Sequence, residues 1–189
     1  MFVSSYKKVK ESIDLHENST TTSFFSQRSD KKKTFASEQF PGDIEIDSKK
    51  VYWSKSWGGG SYIPFSGIPF IIIGHEDFEC HQGPDHKERS KRQPCIDLQD
   101  TDHCYSSTKR KHQIQTSKKK GCSARIKLKV VINFPQFQVE NEPSEWNKRL
   151  TVQKLKNYNG QIEKESRFYL FFPEDEDHSG HLTGEVFIG

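Results

Sequence analysis

From Ala124 to Val130 the chain alternates strictly. Ala124, Ile126, Leu128 and Val130 are apolar, and Arg125, Lys127 and Lys129 between them are cationic. A period of two sends successive side chains to opposite faces, so the segment reads as a β-strand with one face for a core and one for water or an anion. Such a strand needs partners. Phe70-Ile71-Ile72-Ile73, bounded by Pro69 and Gly74, and Phe168-Tyr169-Leu170-Phe171-Phe172, stopped by Pro173, are apolar runs of strand length. Order is expected to begin near Val51-Tyr52-Trp53. The stretch Leu150 to Tyr158 reads as a further strand, although Leu155 breaks its phase. Asn159-Gly160 then reads as the turn into the strand Ile162 to Phe172.

The apolar material for this sheet is thin. Only 31% of the 189 residues are hydrophobic, and the mean hydropathy is −0.88. Such a chain either leaves part of its length disordered or holds its fold by something besides apolar burial. Residues 1–48, with Glu17 to Ser23 polar and Lys31, Lys32 and Lys33 in a row, read as a disordered polar tail. Phe24, Phe25 and Phe35 read as incidental aromatics within it. Residues 49–189 are expected to fold. No apolar run approaches the roughly 20 residues of a membrane span, and the N-terminus lacks the apolar core of a signal peptide, so a membrane partner and secretion are not expected.

Charge is unevenly spread. The whole chain carries +3, yet His81 to Val130 holds thirteen Lys and Arg against five Asp and Glu, a net +8. A basic centre in an otherwise acidic chain points to a polyanion.

Four cysteines, Cys80, Cys95, Cys104 and Cys122, allow two disulfides in three pairings. Without a secretion signal the thiols are expected to stay reduced, which favours metal binding. The best four-ligand set is Cys80, Cys122, His178 and His181. Cys80 follows one expected strand, Cys122 opens another, and the two His stand three apart after the last. Two thiolates and two imidazoles close a tetrahedral zinc site with no open position, which makes the zinc structural. Cys95 and Cys104 are rivals to Cys80, with His81, His86, His103 and His112 nearby.

Taken in order, five stretches resemble the DNA-binding domain of the calcium-responsive transcription factor family. They are Ile68-Pro69-Phe70 to Gly74, Cys80-His81-Gln82-Gly83-Pro84-Asp85, Ser117 to Ile126, Phe134-Pro135, and His178-Ser179-Gly180-His181. That domain is similar to the zinc domains of the WRKY and glial-cells-missing factors and of Mutator-like transposases. The resemblance spans roughly residues 50–189. It implies a mostly β fold, a small antiparallel sheet of about four strands, clamped by one zinc on Cys80, Cys122, His178 and His181, with a strand edge offered to duplex DNA. Ser123 departs from the pattern, which usually has Pro there, and so do the two additional cysteines between Cys80 and Cys122.

The residues themselves suggest how DNA would be held. Arg125, Lys127 and Lys129 would project from one strand face about 6–7 Å apart, near the spacing of successive phosphates. Lys118, Lys119 and Lys120 would add phosphate contacts at the entry to that strand, and the planar fork of Arg125 would read a guanine edge. Lys87, Arg89, Lys91, Arg92 and Lys109 to Lys111 are flanking basic clusters suited to phosphate contact or nuclear import. The expected function is sequence-specific duplex DNA binding by a nuclear transcription regulator, with other transcription proteins as further partners. No nucleophile elbow, P-loop or His-Glu-x-x-His run is present, so neither an enzyme nor a small-molecule substrate is expected. The alternatives are a zinc-held protein-interaction or RNA-binding module, and a domesticated transposase DNA-binding fragment.

Overall fold

A computed structural model describes residues 1–29, 46, 48–58, 60–86, 118–139 and 143–184. Its main sheet is antiparallel and has six strands among the described residues, in the order β1 (Phe2–Val3), β8 (Glu165–Phe171), β7 (Arg125–Asn133), β6 (Phe70–Cys80) and β2 (Phe24–Ser29). The sixth, β3 (Val51–Tyr52), also pairs with β6. A separate hairpin joins β4 (Lys55–Ser56) to β5 (Tyr62–Ile63), and its tip carries the glycine-rich turn. The mostly β, antiparallel expectation holds. The strand count is larger than about four because the N-terminal residues supply β1 and β2 to opposite edges.

The alternation from Ala124 to Val130 organises the core. Ile126 lies opposite Phe78, Leu128 opposite both Glu76 and Leu170, and Val130 opposite Phe168. Ala124, Ile126, Leu128 and Val130 are fully buried, whereas Arg125, Lys127 and Lys129 are half-buried on the other face. A bulge between Ile72 and Gly74 resets the phase of β6, so that the core side passes from Ile71 and Ile73 before it to Glu76 and Phe78 after it. On the reverse face Val131 packs with Phe70 and Ile63 beneath the hairpin.

Residues 1–29 correct the expectation of a disordered tail. They form β1, the helix α1 (Tyr6–Thr20) and β2. Val9 and Ile13, four apart, lie on one side of α1 and are buried in the core cluster. Ser5 caps the helix, its Oγ accepting from the Lys8 N–H at 3.4 Å. Glu76 projects from β6 into the core side of the sheet and is 7% exposed. It accepts from Tyr6 Oη at 3.1 Å and Ser26 Oγ at 2.7 Å, tying α1 and β2 to the central strand. Burial first, and the Glu76 charge and hydrogen bond next, push the Tyr6 phenol up to about 12.

The expected strand from Leu150 to Tyr158 is instead part of a helix, α2 (Glu145–Lys156). Ser144 starts it by accepting from the Asn147 N–H at 3.3 Å, with Glu145 in the first turn and Lys154 and Lys156 in the last, matching the helix dipole. Leu155, the residue that broke the two-residue phase, is the buried one. Asn159-Gly160 therefore joins a helix to β8 rather than two strands. Among the described residues no helix is long and apolar enough to cross a membrane.

Candidate metal centre

One end of the sheet carries little apolar mass. The cluster there consists of Cys80, Cys122 and Ala124 with Phe24 against them. Three chain segments are laced together around it. Cys80 ends β6, and its N–H donates to Ala124 O at 3.2 Å. The turn that follows presents the Gln82 carbonyl, which accepts from the Lys120 N–H at 2.8 Å and the Cys122 N–H at 3.1 Å. The third segment is a 3-10 turn, Asp175–Asp177, that delivers His178 and His181. Ser123 Oγ donates to the Asp177 carbonyl at 2.9 Å and fastens that segment to the second.

Two glycines are required by these approaches. A Cβ at Gly83 would lie 2.8 Å from both the Cys80 carbonyl oxygen and Glu79 Cγ. Gly180 has φ +78°, and a Cβ there would press on Lys120 at 3.2 Å.

The lacing brings together all four residues expected as ligands. Their ligand atoms all lie within 4.8 Å of one another. Cys80 Sγ is 3.4 Å from His181 Nε2, Cys122 Sγ is 3.6 Å from His178 Nδ1, and the two ring nitrogens are 3.3 Å apart. Both cysteines are buried free thiols. His181 Nδ1 lies 3.1 Å from the Leu182 carbonyl; donating there fixes the tautomer whose Nε2 lone pair faces the cluster. Burial pushes the Cys80 thiol up to about 11, opposed by a Gln82 N–H bond to the sulfur and reinforced by the Cys122 thiol. Burial, then the neighbouring His181 and His16, hold His178 below the usual imidazole value. Two thiols and two imidazoles are a soft donor set, and the group could hold a metal ion. Cys95, Cys104, His103, His112 and the flanking basic clusters lie outside the described residues. His86 is described and belongs elsewhere, its Nε2 2.8 Å from Glu79 Oε2 and 2.8 Å from Gln27 Nε2.

The expected DNA-contacting residues divide into two groups. Lys118 and Lys120 are exposed, and Lys119 Nζ lies 4.4 Å from the centre of the Phe25 ring. This basic triplet precedes β7, which starts only at Arg125. On the strand itself two of the three cations have side-chain partners. Arg125 Nη2 donates to Glu79 Oε1 at 3.0 Å, and Glu79 is completely buried. Lys127 lies opposite Asp77, and Lys129 Nζ sits 5.7 Å over the Trp57 ring. One nitrogen of the Arg125 fork is thus held by a buried carboxylate. Sequence reasoning missed Glu79, Phe24 and Phe25. Glu79, Asp77 and His75 form the polar alternate of β6, and that acidic pattern beside a cationic one was the available signal.

The fold and cluster define a class: an antiparallel β domain closed at one end by two Cys and two His. The family model described as amyotrophic lateral sclerosis 2 chromosomal region candidate gene 8 (ALS2CR8) matches residues 43–187, and the chain belongs to that family. This corrects the family read from the sequence, because the matching family is ALS2CR8 and not the calcium-responsive transcription factor, WRKY or glial-cells-missing families. The motifs behind that resemblance have a local cause. Gly83 and Gly180 are imposed by close packing around the Cys/His cluster, so Cys-His-x-Gly and His-x-Gly-His each place a glycine where that packing requires one. No curated protein and no solved structure matches the chain.

Proposed function

We propose that the cluster holds one structural zinc and that the domain binds duplex DNA, in the nucleus, as a transcription regulator. The zinc reading is supported by the ligand spacing. A tetrahedral ion with bonds of about 2.0–2.1 Å to nitrogen and about 2.3 Å to sulfur has edges of about 3.3 Å between nitrogens and about 3.5 Å between nitrogen and sulfur. The separations in this chain are 3.3 Å, and 3.4 and 3.6 Å. Four protein ligands leave no position for water or substrate, so the ion's role is to hold the fold.

The observation that carries the DNA reading is the seating of Lys118-Lys119-Lys120 on this centre. The Lys120 and Cys122 N–H groups share the Gln82 carbonyl, so the zinc fixes the backbone from which exposed lysines project. Fixed cations lose little entropy when they meet phosphates. Lys127 and Lys129 continue this surface along β7. Arg125 serves it by holding β7 to β6 through Glu79.

A second reading, single-stranded nucleic acid, draws on Tyr169 and Phe171, which lie across from Lys129 and Lys127 and are half-buried on the same face. One titration separates the two. For the zinc-loaded chain, duplex affinity should fall steeply with salt, and Lys118→Ala with Lys120→Ala should reduce the slope by about 0.9 for each phosphate no longer neutralised. An unchanged slope and affinity in a folded double variant would overturn the DNA reading. Preference for an oligothymidylate over duplex would favour the second.

A further inference from the structure

The helix α2 is joined to the core through Leu155, which sits in the same cluster as Val9 and Ile13 of α1. It therefore lies on the α1 side of the sheet, away from the face that carries Lys127 and Lys129. Another side of the helix opens, among the described residues, onto a groove of about 490 Å³ whose floor is Trp53. Glu145, Lys148, Arg149, Val152, Gln153 and Lys156 line it. Their spacing of three and four residues covers the whole length of the helix, about 18 Å at 1.5 Å per residue.

Two properties of the groove point to one kind of occupant. Its charge is positive, with three cations against Glu145, and that carboxylate is already taken by Lys148 Nζ at 2.7 Å. Its walls are also apolar in alternation. Val152 lies between the cations in sequence, and Trp53 also lines the groove, stacked on Phe65 with ring centres 6.2 Å apart. Lys148 Nζ reaches over that Phe65 ring at 5.9 Å. A phosphodiester backbone offers uniform negative charge and would not use the apolar half. An extended peptide alternates its side chains, and about five residues span the length of the helix.

We propose that the groove between α2 and Trp53 docks an acidic peptide segment, with carboxylates and apolar side chains in alternation, from a partner protein. The site stands independently of the DNA reading and faces away from the proposed DNA surface, so both partners fit at once. Recognition is by carboxylates on Arg149 and Lys156 and by an apolar side chain against Val152 and Trp53.

The test uses the full zinc-loaded chain and a fluorescein-labelled decapeptide of alternating Glu and Leu. Controls are a Lys/Leu decapeptide and a labelled ten-nucleotide oligothymidylate. The Glu/Leu peptide should bind and the Lys/Leu peptide should not. Arg149→Glu with Lys156→Glu should weaken the Glu/Leu peptide about tenfold while duplex binding stays within twofold. Arg149→Gln, an exposed and mild change, should weaken it about threefold and guards against misfolding of the double variant. Equal binding of the Glu/Leu peptide to native and variant chains would overturn the proposal. So would loss of oligothymidylate binding in the same variants, which would assign the groove to nucleic acid. Lys118→Ala with Lys120→Ala should leave the peptide unaffected, so failure of the DNA reading is read separately.

Discussion

The two ends of the sheet are held by different means. Around Ile71, Ile132 and Phe134 the strands pack beneath α1 and α2, in a cluster that includes twelve buried apolar residues. Around Cys80 and Cys122 the buried cluster has three, and hydrogen bonds to the Gln82 and Asp177 carbonyls lace its segments together. The first end gains roughly 1.5–3 kcal/mol for each large side chain removed from water. The second gains less that way, and under the zinc proposal a metal held by the Cys/His group makes up the difference. The exposed lysines sit on the end held by the Cys/His group, where loops rather than packed side chains shape the surface.

The largest effect should come from removing the ligands. Cys122→Ser, or a strong chelator, should abolish cooperative unfolding, because structural zinc supplies on the order of 10 kcal/mol in small domains. A variant that melts like the native chain would show that the apolar end suffices alone. Zinc uptake near neutral pH should release protons, since zinc takes cysteine as thiolate and burial holds Cys80 as a thiol.

Next in size is Leu128→Ala at the apolar end. It should cost about 2–5 kcal/mol through reduced burial and a cavity. Zinc stoichiometry measured on the folded fraction should nevertheless remain one per chain. Loss of the metal in parallel would mean the two ends are a single cooperative unit.

Arg125→Ala should cost about 2 kcal/mol, between a surface and a buried pair, because it leaves the buried Glu79 carboxylate only its contact with the exposed His86. Urea denaturation measures this. A native midpoint would release Arg125 from its structural role and return it to the DNA surface.

The smallest effect concerns Tyr6, which links α1 to Glu76. Tyr6→Phe should cost about 1 kcal/mol. Its pH dependence has a definite sign. The folded phenol is raised to about 12, above the unfolded value of 10.0, so its contribution is whole below pH 10 and is lost as pH rises toward 12. The Phe variant should lack that alkaline decline.

Strands that bury a continuous or alternating apolar run were legible in the sequence, because period and β-branching alone define them: Phe70 to Ile73, Ala124 to Val130 and Phe168 to Phe172. The four Cys and His of the cluster were legible because each falls at or near the end of such a strand. Three features were not. The helix α2 buries Leu155 alone, so its apolar period was too sparse to compete with the local alternation of Leu150 and Val152. The N-terminal residues looked polar because α1 needs only Val9 and Ile13 for the core, with Ser5 and Tyr6 supplying polar ties that composition cannot reveal. The engagement of Arg125 depended on register. Only the pairing of β6 with β7 places Glu79 opposite it.

X-ray absorption at the zinc edge of the purified full chain tests the central claim most directly. An end held by Cys80, Cys122, His178 and His181 predicts one zinc per chain with two sulfurs at about 2.3 Å and two nitrogens at about 2.0–2.1 Å. A shell of four sulfurs would bring Cys95 and Cys104 into the site and displace His178 and His181. That result, or a folded chain without metal, would contradict the account.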